Sequence, residues 1–403
     1  MINTTILRPF PFGFLSEFVW TPQMLPFTSD EIMTLDKDLS VYEQVFLNPD
    51  IEKSLISKNE LLASFAISKA EDSQLTLAKA QNVYNLILSD PNYDFIREKL
   101  KNQEKLTQKD YDKLEFFNIL KTFRSFNEKS FAIDDLTTLK ICEIHAGLTQ
   151  GLDIFKDYLS NFTVYKSGKW RDNDLIRVGS SVPSPHTEIG RGVNELIAWL
   201  KKNQTITGVA AFHTGLYGLH PFNNGNKRVC RILEHVLLRS LGINNKNLYS
   251  TSYYYHKQKA RYYKYLLFSL ERKNLNHFVT FVQEALVLSI IDVVRTSLEA
   301  KRQEFVARQE LEGQIALVLK PFVKRSEIQF KNLARITKGK IARQTLVNYL
   351  AKAVDQRMLR RRETGRVTYY SLNFEAPEVE TLKKWLSFAQ ERLNFIPDNI
   401  KLI

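Results

Sequence analysis

The stretch His220–Arg231, HPFNNGNKRVCR, places one histidine, several asparagines, one glycine and basic residues around a short loop at the start of a helical pattern. His220 is the side chain in this stretch that can accept a proton near neutral pH. Gly225 allows a ligand to approach the backbone closely. The free N–H groups and the dipole of a helix that begins here both favour an anion. The stretch therefore predicts a base beside a phosphate-binding loop.

Two arginines strengthen this prediction. Arg228 and Arg231 are three residues apart, so they share one face of the predicted helix. Two guanidinium groups beside a helix N-terminus suit a polyphosphate, because each can donate paired hydrogen bonds to phosphate oxygens. Phe222 is expected to anchor the loop in the core. The alternative for His220 is a buried histidine that serves only as a hydrogen-bonding group.

The composition is that of a globular protein with an excess of positive charge. The 403 residues suggest two or three domains, and 44% hydrophobic residues suffice for a sizeable core. The formal net charge of +13 favours a polyanionic partner such as nucleic acid or nucleotide phosphates, although a generally Lys-rich proteome would give the same excess. The two cysteines, Cys142 and Cys230, exclude a disulfide framework and a Cys-rich zinc site, so a reducing compartment is expected.

The sequence offers little sign of a membrane segment. The first residues, MINTTILRPFPFGFLSEFVW, lack the basic and apolar regions of a signal peptide. The most apolar run, FVQEALVLSIIDVV, carries Glu284 and Asp292 and is too short to span a bilayer. We therefore expect a soluble cytoplasmic protein without membrane contact.

Hydrophobic periodicity predicts a mainly helical protein. Helical patterns run from about residue 30 to 96 and from about 107 to 149, after an N-terminal arm. The stretch YKSGKWRDNDLIRVGSSVPSPHTEIG is instead rich in Gly, Pro and Ser, and short apolar pieces at 163–165 and 175–178 predict a small β-hairpin there. Helices resume after it, and Gly242 is a suitable stop for the helix that begins in the motif.

The last hundred residues have a different pattern. Helices are predicted at 311–322, at 327–337 after a Ser326 cap, and at 340–357. The stretch RRRETGRVTYYSL then alternates around Thr364-Gly365 as a two-stranded hairpin would. Three helices followed by a hairpin is the pattern of a winged helix-turn-helix.

This region is strongly basic, with thirteen Lys or Arg against three Asp or Glu between Lys324 and Tyr370. The helix at 340–357 is predicted to enter a major groove of DNA, with Arg360–Arg366 as a wing on the backbone. The alternative is a winged helix used for protein contacts or dimerisation. Leu346, Leu350 and Val354 are predicted to form the core face of the helix.

The stretch HPFNNGNKRVCR resembles the signature of the Fic family, His-x-Phe-x-Asp/Glu-Gly-Asn-Gly/Lys-Arg-x-x-Arg. AAFHTGLYGLHPF before it and the paired tyrosines after it agree, and GKWRDNDLIRVGSSVPSPH looks like the flap that holds the target chain. The resemblance spans roughly Asn59 to Leu288. Most Fic proteins transfer AMP from ATP to a Ser, Thr or Tyr hydroxyl of another protein. The resemblance therefore implies a Fic-type helical core that acts as a protein adenylyltransferase with ATP and Mg²⁺.

The resemblance also implies residue roles. His220 would deprotonate the target hydroxyl, and Arg228 would stabilise charge on the leaving pyrophosphate. The flap would also align the target by strand addition. The nucleotide-binding residues implied are Val178, Gly179, Ser180 and Ser181 over the nucleotide, Asn224, Gly225, Asn226, Lys227, Arg228 and Arg231 around the phosphates, and Tyr262 or Tyr263 near the base.

Two residues depart from the usual pattern. Asn224 stands where the family has its acidic Mg²⁺ ligand, and an amide oxygen is a poorer ligand for a hard cation. Lys227 stands where most AMP transferases have glycine, and a lysine there also occurs in Doc, a relative that phosphorylates its target. Two alternatives to AMP transfer therefore remain, namely phosphorylation and a DNA-binding regulator whose Fic core senses nucleotide without catalysis.

The segment ELLASFAISKAEDSQLTL partly resembles the inhibitory helix of many Fic proteins. In that family a glutamate of this helix pairs with the last arginine of the motif and blocks the γ-phosphate. Glu71 is the candidate here and Arg231 its expected partner, although Ile67 and Asp72 depart from the usual pattern. The alternative is that Glu71 is an ordinary surface residue.

These inferences give a predicted organisation of the whole chain. The predicted domains are an N-terminal arm and helical region (1–106), a Fic core (107–295), a linker helix (296–310), a winged helix-turn-helix (311–375) and a helical tail (376–403). The predicted partners are ATP and a protein with a hydroxyl side chain, with DNA and a second copy of the chain as further candidates.

Overall fold

A computed structural model describes residues 5–41, 49–71, 73–90, 94–160, 162, 166–309 and 315–401. The protein is mainly helical, as predicted. The chain divides into two compact units, of which the first comprises Met1–Asp36 and Ser54–Leu286 and the second Lys37–Lys53 and Val287–Ile403.

The α-helices are spread along the whole described chain. In chain order they are α1 Ser29–Val41, α2 Pro49–Ser68, α3 Leu77–Ser89, α4 Phe95–Lys101, α5 Gln108–Asn127, α6 Thr138–Thr149, α7 Ile189–Lys202, α8 Ile206–Leu219, α9 Asn226–Ser240, α10 Thr251–Lys257, α11 Lys259–Glu271, α12 Asn276–Ala307, α13 Ile315–Leu319, α14 Phe330–Ile336, α15 Arg343–Asp355, α16 Glu378–Gln390 and α17 Asp398–Lys401. A 3₁₀ turn, Lys69–Glu71, continues α2. The flap region lies between α6 and α7.

The helices α8 and α9 form the centre of the first unit. Every residue of α8 from Gly208 to Leu219 is buried, and so are most residues of α9. The hydroxyl of Thr205 accepts a hydrogen bond from the Gly208 N–H and caps α8. Helix α9 ends at Ser240, and Gly242 follows with φ 86°, as predicted for a helix stop. The two central helices therefore hold the motif between them at a fixed place.

Helix α12 is long and apolar enough to cross a membrane by length and composition. Of its most apolar 18-residue window, 83% is buried inside the protein. The protein's own side chains therefore already cover this window, as they do in a core helix.

Among the described residues of the second unit, three strands form an antiparallel sheet in the order β1-β3-β2. The strands are β1 Glu327–Gln329, β2 Leu359–Thr364 and β3 Val367–Leu372. The hairpin predicted around Thr364-Gly365 is confirmed, since Thr364 pairs with Val367. Leu346 and Leu350 of α15 are buried in the core of this region, and Val354 packs against it.

The helix predicted at 327–337 is wrong in its first residues. Glu327–Gln329 pair with Tyr369–Ser371 of β3, and α14 begins only at Phe330. Ser326 therefore caps no helix, and its hydroxyl instead accepts a hydrogen bond from Arg302. The pairing partner is remote along the chain, so local periodicity carries no sign of it.

Candidate active site

The motif begins where α8 ends. His220 adopts a left-handed conformation with φ 50° and ψ 62°, which is uncommon for a residue other than glycine. Gly225, immediately before α9, has φ 80°. These two residues reverse the chain between two buried helices and leave the N-terminus of α9 at the loop. The first N–H groups of that helix, from Asn226 onward, are thus available to an anion.

Two side chains hold the loop in place, namely Asn226 at the start of α9 and His145 of α6. The Asn226 amide accepts a hydrogen bond from the Phe222 N–H (3.0 Å) and donates one to the Phe222 carbonyl (2.7 Å). The fully buried Phe222 ring stacks on the His145 ring at 3.8 Å between centroids. The Gly168 N–H donates to Nδ1 of His145 (3.0 Å), so the proton lies on Nε2, which donates to the Asn224 carbonyl (3.1 Å). Burial lowers the pKa of His145 to about 4, which keeps the ring neutral.

His220 presents a buried, neutral imidazole at the loop. Its side chain is 9% exposed, and Nδ1 has no hydrogen-bond partner among the described residues. Burial lowers the pKa of His220 to about 4, and the positive charges of Arg171 and Lys227 act in the same direction. The imidazole is therefore neutral at pH 7, which is the form that accepts a proton.

Arg228 lies below the loop. Its guanidinium has no exposed surface, and Nη1 donates to Oε1 of Glu115 at 2.7 Å. Glu115 belongs to α5 and is itself buried, and the Tyr111 hydroxyl donates to the same oxygen at 3.2 Å. A Cβ at Gly225 would lie 3.6 Å from Nη2 of Arg228. The predicted contact of Arg228 with phosphate therefore requires the residues that cover it to move.

Arg231 is also covered. It is 2% exposed, and Nη1 donates to the Ala66 carbonyl near the end of α2 at 2.9 Å. Its guanidinium carbon lies 4.3 Å from the centroid of the Tyr262 ring and 5.5 Å from that of Tyr255. Tyr262 is thus packed in the core against the motif helix.

The end of the α2 segment reaches the motif through Lys227. Nζ of Lys227 lies 3.3 Å from Oε2 of Glu71 and 3.2 Å from the Ala70 carbonyl. The Tyr263 hydroxyl donates to the same carbonyl at 2.9 Å, and its ring centroid is 5.0 Å from Nζ of Lys227. Glu71 raises the pKa of Lys227 against the lowering effect of burial, so the lysine stays charged.

The predicted ion pair between Glu71 and Arg231 is wrong. Among the described residues, Glu71 pairs with Lys227, and Arg231 binds the Ala66 carbonyl instead. Lys227 lies one helical turn before Arg231 on α9, and the 3₁₀ turn at Lys69–Glu71 brings Glu71 to that level. The segment therefore contacts two of the three motif cations, Lys227 and Arg231, but Glu71 binds the lysine and not the arginine.

The flap is reduced to a tight turn in the part of the chain that the structure describes. The N–H of Val178 donates to the Ser181 carbonyl (3.1 Å), and the N–H of Ser181 donates back to the Val178 carbonyl (3.0 Å). Gly179 has φ 62°, and the Ser180 hydroxyl donates to Glu271 of α11. The other half of the predicted hairpin, at 163–165, lies outside the described residues. These contacts anchor the tip of the flap on α11.

A buried carboxylate supports α9 from the other side. Glu234 accepts hydrogen bonds from Nδ1 of His213 (2.7 Å), from the Thr251 hydroxyl (2.8 Å) and from the Tyr255 hydroxyl (2.7 Å). Tyr255 also stacks on Tyr262, with ring centroids 5.0 Å apart. This network, which we call the Glu234 cluster, therefore positions the aromatic rings that flank Arg231.

The residues do not fit a magnesium ion held by protein groups. Oδ1 of Asn224 accepts a hydrogen bond from the Gly225 N–H at 2.7 Å. The described residues contain no group of three or more His, Cys, Asp or Glu that could hold a metal. Protein-bound Mg²⁺ is normally held by one or two carboxylates together with substrate phosphates. Asn224 supplies only an amide oxygen, which is already turned towards its own loop.

Two residues of this site have no signal in the motif. His145 lies 75 residues before His220, and Arg171 contacts the backbone of His220 from the flap region. Both act through contacts between segments far apart in sequence. Covariation among homologous sequences is the kind of signal that would reveal them.

Comparison with known proteins agrees with the motif. Residues 135–238 match the model of the Fic/DOC family. A probable protein adenylyltransferase of Aquifex aeolicus (strain VF5) is 31% identical to this chain over 96 residues, which are 23% of this chain and 29% of the relative. The chain thus spans less than a third of the length of this curated relative.

Solved structures give weaker matches. A Fic family protein from Desulfovibrio desulfuricans G20 is 17% identical with a TM-score of 0.47, and the match covers 87% of this chain and 99% of that protein. A Fic domain-containing signalling protein from Bacteroides thetaiotaomicron VPI-5482 is 16% identical with a TM-score of 0.48, over 68% of this chain and 97% of that protein. The family match and the motif together support a Fic/DOC-type domain over residues 135–238.

Proposed function

We propose that this protein transfers AMP from ATP to a Ser, Thr or Tyr hydroxyl of a protein. The observation that carries the proposal is the buried His220 at the end of α8, which a five-residue loop joins to the N-terminus of α9. The transfer of a phosphate-containing group to a hydroxyl requires a proton acceptor and an anion-binding helix N-terminus at the same loop. The name of the Aquifex aeolicus relative supports AMP as the transferred group.

The chain's own groups account for the steps of such a transfer. His220 removes the proton of the target hydroxyl while the hydroxyl oxygen forms a bond to the α-phosphorus of ATP. The bond from that phosphorus to the pyrophosphate oxygen breaks, and pyrophosphate leaves. The N–H groups of Asn226 and Lys227 bind the phosphate oxygens, and that of Gly225 joins them when it exchanges its hydrogen bond to Asn224 for one to phosphate. Mg²⁺ enters as part of the substrate MgATP, and no step depends on a protein-bound ion.

Labelled ATP tests the proposal. Incubation with α-labelled ATP should place label on protein, and His220→Ala should abolish labelling while ATP still binds. Label from γ-labelled ATP alone would instead indicate phosphorylation, the alternative that Lys227 raises. No label from either, together with nucleotide-dependent DNA binding, would indicate a regulator.

The same proposal includes autoinhibition by the end of α2. The carbonyls of Ala66 and Ala70 and the carboxylate of Glu71 engage Arg231 and Lys227, two of the three motif cations that a polyphosphate would otherwise contact. ATP would have to compete with these acceptors for both side chains. The segment thus favours a state with low affinity for the distal phosphates.

A second function is supported by the second unit. We infer a winged helix-turn-helix from the order of the helices and strands in residues 315–372, with α15 as the recognition helix and β2–β3 as the wing. Arg343, Gln344 and Asn348 on α15 are exposed, and so are the arginines of β2. We infer that this surface binds duplex DNA through phosphate contacts.

A further inference from the structure

Arg171 is buried between the base of the flap and the motif. It is 3% exposed although it carries a permanent charge. Its five N–H donors all find acceptors, which are the carbonyls of His220 (2.8 Å, from Nε), Asn173 (2.5 Å), Ser184 and Leu219 (3.4 Å), and the carboxylate of Asp174 (2.9 Å).

The acceptors lie on two separate segments. The carbonyls of Leu219 and His220 belong to the end of α8, and the backbone N–H of Arg171 donates to the next carbonyl, that of Pro221, at 2.8 Å. Three successive carbonyls therefore bind one residue at the point where His220 takes its left-handed conformation. The other acceptors flank the flap on either side, at 173–174 and at 184.

This arrangement suits a cation on physical grounds. The carbonyls at a helix C-terminus carry partial negative charge, and a guanidinium beside them is stabilised by the helix dipole. A left-handed backbone at a residue other than glycine stores strain and persists only where its surroundings hold it in place. Arg171 holds the backbone of His220 in place by donating hydrogen bonds to the carbonyls of Leu219, His220 and Pro221.

We propose that Arg171 is a positioning residue that fixes the His220 backbone to both sides of the flap, so that the base and the target-binding turn keep one relative geometry. The inference rests on the proposed transfer reaction, since it concerns alignment of the target hydroxyl with His220. A displacement of about 1 Å between reacting groups can reduce a rate by about 100-fold. Arg171 touches no reacting atom and acts through His220 and the flap.

The test compares the wild type with Arg171→Met and Arg171→Lys. Arg191→Met is the matched control, because Arg191 is an exposed arginine on α7 paired with Glu195. Calorimetry measures ATP affinity, and incorporation of α-label into the chain measures the rate. NMR of ¹³C-labelled histidines measures the pKa of His220, whose signal is identified by its loss in His220→Gln. Circular dichroism verifies that each variant is folded.

The proposal predicts a rate effect without a binding effect. Arg171→Met should keep ATP affinity within about threefold, lose about 100-fold in rate, and raise the pKa of His220, because a nearby positive charge is removed. Arg171→Lys keeps the charge but lacks the planar guanidinium whose N–H groups reach both segments. The rate of label incorporation should therefore fall while the pKa of His220 stays low. Arg191→Met should leave all three quantities unchanged.

Two results would overturn the proposal. One is a folded Arg171→Met variant with the wild-type rate and an unchanged pKa of His220. The other is a loss of rate in Arg171→Lys that is matched by an equal loss of ATP affinity, which would make Arg171 a general support of the fold. If Arg171→Met does not fold, Arg171→Lys decides by the same comparison. If the wild type incorporates no label, AMP transfer fails, whereas the pKa of His220 and the ATP affinity still decide the role of Arg171.

Discussion

At the scale of single residues, the buried pair of Glu115 and Arg228 links stability to pH. Both side chains are buried, and burial raises the pKa of Glu115 to about 7 although Arg228 opposes the rise. The folded protein thus binds the Glu115 proton more tightly than the unfolded chain, whose carboxyl has an ordinary pKa near 4.5. The stabilisation from Glu115 is fully present below pH 4.5 and is lost as the pH rises through 7.

Glu115→Gln tests this linkage, because the amide has the same shape and does not titrate. Between pH 4.5 and 7 the free energy of unfolding of the wild type should fall relative to that of the variant, by an amount on the order of 2–3 kcal/mol. Urea titrations of both proteins at several pH values would measure the difference. A wild type that becomes relatively more stable with rising pH would show instead that the attraction to Arg228 outweighs burial.

Asn224 carries a second prediction at this scale. A carboxylate is a better ligand for Mg²⁺ than an amide, so Asn224→Asp should lower the Mg²⁺ concentration needed for half-maximal labelling. A shift of about tenfold is expected for the gain of one charged ligand. The neighbouring Asn223→Asp, which adds the same charge one residue earlier, serves as the control. Identical Mg²⁺ titrations for Asn224→Asp and the wild type would contradict the prediction.

At the scale of elements, the end of α2 is the part of the first unit whose removal should change activity most. Glu71→Gln removes the charge that pairs with Lys227 and should raise α-label incorporation several-fold. The same change should lower the melting temperature without ATP by about 2–4 °C, because the pair is partly buried. Labelling assays and thermal unfolding measure the two effects.

Glu60→Gln is the matched control for Glu71→Gln. Glu60 lies on α2, which leads into the 3₁₀ turn of Glu71, and it pairs with Arg124 of α5 at 2.6 Å and not with a motif residue. It should lower the melting temperature without raising incorporation. If both variants change only the melting temperature, the end of α2 is structural and does not inhibit.

The elements also show where sequence analysis succeeds. Helical periodicity predicts the central helices, and the spacing from His220 to Arg231 identifies the loop, because these signals are local. Periodicity predicts helix at Glu327–Gln329, where the structure has a strand whose partner in β3 is remote in sequence. The partner of Glu71 is predicted wrongly for a related reason. A small change in helix geometry, here a 3₁₀ turn, decides which motif cation it meets.

At the scale of the whole molecule, the net charge is +13, and the exposed arginines of β2 contribute to it. The three arginines of β2 each pair with a carboxylate, namely Arg360 with Glu375, Arg361 with Glu363 and Arg362 with Glu327. Exposed pairs of this kind contribute about 0–1 kcal/mol. A phosphate can therefore displace these carboxylates at little cost, and the basic surface stays available to a polyanion.

Binding of duplex DNA should weaken steeply with salt, because each phosphate contact releases counterions. The double variant Arg360→Ala, Arg361→Ala should reduce the slope of log affinity against log salt by about two, since each arginine is expected to bind one phosphate. Fluorescence anisotropy at several salt concentrations measures the slope. Lys383→Ala, on the exposed face of α16, is the control and should leave the slope unchanged. An absence of duplex binding at low salt would favour a protein-contact role for this region.

The Glu234 cluster has a consequence for protein engineering. The twelve residues His220–Arg231 form one continuous segment that could be moved to another protein. The orientation of Arg231, however, depends on the rings of Tyr255 and Tyr262, and Glu234 fixes these rings through the Tyr255 hydroxyl. The cluster draws its other members from α8 and α10, at His213 and Thr251. A graft of the loop alone into another helical protein would transfer the chemical groups without the side chains that orient them. A transplantable module therefore includes at least α8 through α11, up to the Tyr262 ring, together with His145 and Arg171, which hold the loop from earlier segments.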